Sequence, residues 1–124
     1  MPWEFRGDQP MYLQLTQQIT QRIVSGFYPP GSKLPPVREF AIEAGVNPNT
    51  MQRALGELEQ QQLLFAQRTA GRFVTVDNTK IKAARLQLAR KLTADFLSGM
   101  TQLGFSKTAA EQALREYILQ EDTQ

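Results

Sequence analysis

The chain has 124 residues, of which 41% are apolar and 21% charged, the balance of an ordinary globular domain with at most a small appendage. It contains neither cysteine nor histidine, which removes disulfides, thiolate nucleophiles, Ser-His-Asp and Cys-His catalysis, and the usual zinc sites. The formal net charge is only +2, and residues 1–76 and 77–124 each carry seven basic and six acidic side chains, so total charge names no partner.

Without histidine or cysteine, little titrates between about pH 5 and pH 9, and a histidine-type switch is excluded. No cofactor is expected. No apolar run approaches the ~20 residues of a membrane helix. The start Met1-Pro2-Trp3-Glu4 lacks the basic-then-apolar order of a secretory signal. The expectation is a cytoplasmic protein with no membrane partner.

Residues 1–9 read as a poorly ordered lead-in or an arm, with Trp3 and Phe5 packing on the domain or making a functional contact. From Pro10, the spacing of Tyr12, Leu15, Ile19 and Ile23 predicts an amphipathic helix that stops at Gly26. Pro29, Pro30 and Gly31 force a loop. A second helix starts near Pro36, with Val37, Phe40, Ala41 and Ala44 inward and Gly45 at its end. A third follows at once, with Asn47 as N-cap, Pro48 in the first helical position, and a stripe of Met51, Ala54, Leu55, Leu58 and Leu63. Two helices joined by a tight glycine-containing turn are a helix-turn-helix signature.

Leu64 to Ala66 predict a strand, Gln67 to Gly71 a turn, and Arg72 to Val76 a second strand. A hairpin directly after a helix-turn-helix is a wing. A long helix is expected from about Thr79 to Leu103, with Ile81, Ala84, Leu88, Leu92, Phe96 and Met100 in a four-residue ladder. Gly104 closes it. Ser106 or Thr108 caps a last helix, Thr108 and Glu111 having capping-box spacing. Its apolar face is Ala110, Ala113, Leu114, Tyr117 and Ile118. The fold class is mainly α with a small β-hairpin.

The segments PMYLQL, GSKLPPVREFA, GVNPNTMQRALGELE and AGRFVTV run in register over roughly residues 10–76. Together they resemble the GntR family of bacterial transcription regulators. The short all-helical tail, with LGFS between its helices, looks like the YtrA subfamily. The resemblance implies a winged helix-turn-helix DNA-binding domain over residues 1–76 and a two-helix dimerisation tail over 77–124. Three positions depart from the family pattern. Gln62 stands where glycine often precedes the first wing strand, Thr69 stands near the wing tip where glycine is common, and Gln52 replaces a frequent arginine.

A recognition helix places its N-terminal residues at base edges in the major groove. Here those are Asn47, Pro48, Asn49, Thr50, Gln52 and Arg53, where Asn and Gln can pair adenine and Arg guanine. The free N–H groups and dipole at that helix start also favour phosphate. Asn47 is first of all a cap. Asn49 and Gln52 would elsewhere be a plain solvated face. Arg53 either reads DNA or pairs with Glu57 four residues on. Arg38 sits where the helix dipole disfavours a cation. The resemblance implies a DNA contact there, the alternative being an ion pair with Glu39 or Glu43. Arg68 and Arg72 on the wing can reach a minor groove or its phosphates, or stay solvated. Lys33 is a further phosphate candidate.

The tail is too small to bury both helices alone, so its ladder must rest on something. A second copy of the tail fits best, through Ile81, Ala84, Leu88, Leu92, Phe96, Met100, Leu114, Tyr117 and Ile118, as a symmetric pair. The other arrangement folds the tail back on its own domain. The function expected is a homodimeric regulator, a repressor on a palindromic double-stranded DNA operator. The resemblance adds control of its own operon, often one for an ABC transporter. The rival readings are a winged-helix protein-interaction module and an enzyme, for which no paired catalytic set is visible. Any small-molecule effector is unidentified, and the tail leaves little room for its pocket.

Overall fold

The structure, a computed structural model, describes residues 1–123. It holds helices α1 (Met11–Val24), α2 (Val37–Ala44), α3 (Pro48–Gln60), α4 (Asn78–Gln102) and α5 (Lys107–Asp122), with strands β1 (Leu64–Gln67) and β2 (Gly71–Val74) between α3 and α4. Among the described residues, no helix is long and apolar enough to cross a membrane.

Apart from Tyr12, which is half-buried outside the cluster, the predicted faces of α1, α2 and α3 form the core or pack against it. Leu15, Ile19 and Ile23 of α1, Phe40, Ala41 and Ala44 of α2, and Met51, Ala54, Leu55 and Leu58 of α3 are all buried in one cluster. At about 25 cal/mol per Å² of apolar surface, the large side chains among them contribute most to the stability of the domain. Asn47 caps α3, its side chain accepting the Asn49 N–H at 2.7 Å, with Pro48 in the first turn.

Three helices end in the same way. In each, a left-handed residue lets its own N–H and the next one bond back into the last turn. Gly45 and Val46 donate to Ile42 and Ala41, Gly104 and Phe105 to Thr101 and Met100, and Gln62 and Leu63 to Glu59 and Leu58. Gln62 is the non-glycine residue among the three, at φ 63°. Leu63, expected on the helix stripe, therefore lies beyond α3. It is buried as the apolar residue that follows such a cap, beside Leu58.

β1 and β2 pair antiparallel, Leu64 opposite Val74 and Phe65 opposite Phe73, with those two rings stacked at 5.6 Å. The loop before α2 joins this sheet, which the sequence did not suggest. Gly31 and Leu34 donate to the carbonyls of Val74 and Arg72, and Val74 donates to Ser32, each at 2.9 Å.

The N-terminal residues are an arm held on α1. The Gln14 amide accepts from the Arg6 N–H and donates to the carbonyls of Arg6 and Gln9; the Gln18 amide accepts from and donates to Glu4. Two glutamines one helical turn apart span about 6 Å, close to the repeat of two extended residues, so they pair Arg6 and Glu4 as a neighbouring strand would. Trp3 then packs edge-on against Phe40 and stacks on Arg22, whose Cζ lies 3.5 Å from its ring centroid. This agrees with the packing role read for Trp3 and Phe5, both of which lie against the core.

Two compact units result, Met1–Leu86 and Gln87–Gln124. The first runs past Val76 into α4, because Ile81 is buried in its core and Ala84 packs against it. In the second unit, Ser106 caps α5, its hydroxyl accepting the Ala109 N–H at 3.1 Å. Thr108 lies inside the first turn with helical backbone, so the capping box expected there does not form. Among the described residues of this unit, Ala110 alone is buried.

Candidate nucleic-acid interface

Near the start of α3 Asn49, Gln52 and Arg53 are exposed, with Thr50 half-buried beside them. Steps of three and four residues put Asn49, Gln52 and Arg53 on one face. Asn47 is exposed at the helix start, its side-chain oxygen already committed to capping. These groups offer amide donor–acceptor pairs and a guanidinium, the chemistry that reads adenine and guanine edges.

Arg53 does not pair with Glu57. Its Cζ sits 3.5 Å from the centroid of the Tyr12 ring on α1. Among the described residues the ion pairs are Arg6–Asp8, Arg72–Glu59 and Arg115–Glu111. Arg38, exposed in the first turn of α2, therefore has no bond to Glu39 or Glu43. Its donors are available to an outside anion.

The wing separates its two arginines. Arg68 is exposed in the turn between the strands, which the Ala70 N–H closes onto the Gln67 carbonyl. Arg72 is half-buried, its Nε donating to the carboxylate of Glu59 on α3. That bond gives Arg72 a role inside the domain, fastening the wing to the helix that precedes it. Lys33 is brought to the wing by its bridge to Phe73. Its Cε lies 3.2 Å from where a Cβ on Gly71 would stand, so the lysine stem crosses that glycine.

The residues expected at a dimer contact divide between the two units. Ile81 and Ala84 are covered by the first unit's own core. Leu88, Phe96 and Met100 are half-buried, while Leu92, Leu114, Tyr117 and Ile118 are exposed, Leu92 to 71%. Leu103, Phe105 and Leu119 are also exposed and were not singled out in the sequence. A shallow groove in the first unit is lined by Glu59, Gln62, Phe65, Thr75, Asp77 and Lys80.

The family model for bacterial regulatory proteins of the gntR family matches residues 11–74, from the start of α1 to the end of β2. This chain belongs to the GntR family. It is 33% identical to the uncharacterized HTH-type transcriptional regulator YhcF of Bacillus subtilis, over 92% of this chain and 94% of that one. It is 37% identical to the HTH-type transcriptional repressor YtrA of the same organism, over 60% of this chain and 57% of that one. The likeness to YtrA and the short helical tail support the YtrA-like subfamily.

The solved structure of a GntR family transcriptional regulator from Listeria monocytogenes matches with a TM-score of 0.83 at 36% identity, covering 90% of this chain and 98% of that one. The DNA-binding domain of AraR, solved in complex with operator ORX1, matches with a TM-score of 0.55 at 30% identity, over 60% of this chain and 99% of that one. The chain is thus a GntR-family DNA-binding transcription regulator of winged helix-turn-helix fold, and not an enzyme.

Proposed function

We propose that the chain is a homodimeric repressor that occupies a palindromic operator in the cytoplasm. Residues 1–76 read DNA and residues 77–124 dimerise. In this reading Asn49, Thr50, Gln52 and Arg53 enter a major groove, with Asn47 at the helix start. Arg38, Lys33 and Arg68 hold flanking phosphates or a minor groove. Arg72 supports the wing.

The observation that carries the reading is the second unit's lack of a core. Leu92, Leu103, Tyr117 and Leu119 are more than half exposed, and Ala110 alone is buried among the described residues of that unit. Two helices with this much uncovered apolar surface need a partner, and a second copy supplies the matching face by symmetry. A two-fold dimer in turn asks for two half-sites related by two-fold symmetry. The likeness to the YtrA repressor supports repression over activation.

Selection of bound duplexes from a random pool, with sedimentation of the free protein, tests the proposal. Enrichment of an inverted repeat by a dimer is the expected result. A monomer, or a pool that enriches nothing, would overturn it.

A further inference from the structure

We propose that Tyr12 is a positioning residue for Arg53: its ring holds the guanidinium on the DNA-facing side of α3, ready to bond, without touching DNA itself. The inference rests on the proposed reading of α3 as the recognition helix.

Three arginines of the first unit have three different surroundings. Arg22 is 4% exposed and donates to the Tyr28 hydroxyl and the Met1 carbonyl while lying near the rings of Trp3, Phe27 and Tyr28. Arg72 is bound by Glu59. Both are engaged by partners inside the domain. Arg53 is exposed, has no carboxylate within 4.0 Å among the described residues, and has the Tyr12 ring under its Cζ at 3.5 Å.

The geometry leaves Arg53 useful. A ring covers one face of a planar guanidinium, whereas the five N–H donors point outward in its plane. A phosphate or a guanine edge bonds in that plane, so stacking and DNA binding do not compete. Tyr12 is itself half-buried in the first turn of α1, which packs on α3, so the platform is fixed by the core. A long, freely rotating side chain must be ordered when it binds; one already held on a ring loses less. The Tyr12 hydroxyl plays no part in this, and the ring alone is required.

The test is a double-mutant cycle on the full chain, using the duplex that the wild-type protein selects from a random pool. Affinity is measured by fluorescence anisotropy at several salt concentrations for wild type, Tyr12→Phe, Tyr12→Leu, Arg53→Ala and Tyr12→Leu/Arg53→Ala. Tyr12→Phe should bind within two-fold of wild type. Tyr12→Leu should lose about two- to five-fold per bound protomer, the usual range for an exposed cation–π contact. The double variant should bind no more weakly than Arg53→Ala. A salt slope lowered by about one in Arg53→Ala would place the bond on phosphate, and an unchanged slope with relaxed preference at one base pair would place it on a base; both sustain the proposal.

Additive losses in the cycle, or wild-type affinity in Tyr12→Leu or Arg53→Ala, would overturn it. Should Tyr12→Leu not fold, the Arg53 side-chain protons of the wild-type protein decide the matter. An upfield ring-current shift that Tyr12→Phe retains supports the contact, and random-coil shifts refute it. A wild-type protein that selects no duplex sinks the recognition-helix reading itself, whereas one that binds without coupling sinks only the role of Tyr12.

Discussion

The Nε of Arg72 on β2 donates to the carboxylate of Glu59 in the last turn of α3. Their side chains are 20% and 32% exposed, so the pair is sheltered without being fully desolvated. It ties the far strand of the wing to the helix that leads into it.

Arg72→Ala should therefore behave as a stability variant. Removing one partner of a sheltered pair is expected to cost about 1–2 kcal/mol, below the cost of a fully buried one. Arg68→Ala, on the exposed turn, should leave the melting temperature within a degree or so and weaken DNA binding with a lower salt slope. Thermal melts beside salt-dependent anisotropy separate them. Equal binding losses with unchanged melts would mean that both arginines act on DNA.

Gln62→Gly should stabilise the protein by about 1 kcal/mol. A side chain in the left-handed region costs roughly 1–2 kcal/mol, and the added freedom of glycine in the unfolded chain returns part of that. Gly45 and Gly104 occupy the same place in the other two caps. Urea unfolding measures the change, and a lower midpoint would show that the Gln62 side chain makes up for its backbone.

Trp3→Ala should cost about 2–3 kcal/mol, somewhat less than a fully buried tryptophan because Trp3 is half-buried. The loss also uncovers Arg22 and the edge of Phe40. Chemical denaturation reads it directly. A cost below about 0.5 kcal/mol, the scale of an ordinary surface change, would mean that the arm contributes nothing to the fold.

Leu88→Glu/Leu92→Glu should give monomers and a large loss of operator affinity, since two half-sites would then be bound independently. Circular dichroism should show the winged domain still folded, because its core ends near Ala84. Analytical ultracentrifugation gives the answer, and a variant still dimeric would place the contact elsewhere.

Stability should be nearly flat from pH 6 to 9, where few side chains of this chain titrate. Above that, Tyr28 contributes a decline. Burial raises its pKa above the ordinary 10.0, outweighing the hydrogen bond and charge of Arg22, so the folded chain keeps a proton that the unfolded chain releases. The stabilisation is full below the unfolded pKa and is lost as pH rises through the folded one. Tyr28→Phe should show a shallower alkaline fall in urea midpoint, and parallel curves would count against this cause.

Much of the winged domain was legible because its signals are local. The apolar steps of α1 to α3, the Asn47-Pro48 helix start and the strand–turn–strand run after Leu63 each speak through neighbouring residues. What was missed depends on residues distant in sequence. Nothing in the spacing of Tyr12 foretells Arg53, nothing marks Glu59 as the partner of Arg72, and a proline-rich loop gives no hint that Ser32 to Leu34 line up beside β2. Ile81 and Ala84 continue the ladder of α4 without a break, so the point where one core stops is invisible to periodicity. The cap at Gln62 was visible only as a departure from the family glycine. The left-handed backbone behind it shows only in the bonds that Gln62 and Leu63 return to Glu59 and Leu58.

The bonds between residues 31–34 and β2 have a dynamic consequence. The chain that leads into α2 and the second wing strand cannot part without breaking three backbone hydrogen bonds over a buried Leu34 and Val74. Their amide protons should exchange with solvent only when the whole domain opens, as slowly as those at the centre of α3, while the amides of Arg68 and Thr69 at the hairpin tip exchange in local fluctuations. The wing would then be anchored at its root and pliant only at its tip, which puts any adjustment to DNA shape in the turn that carries Arg68.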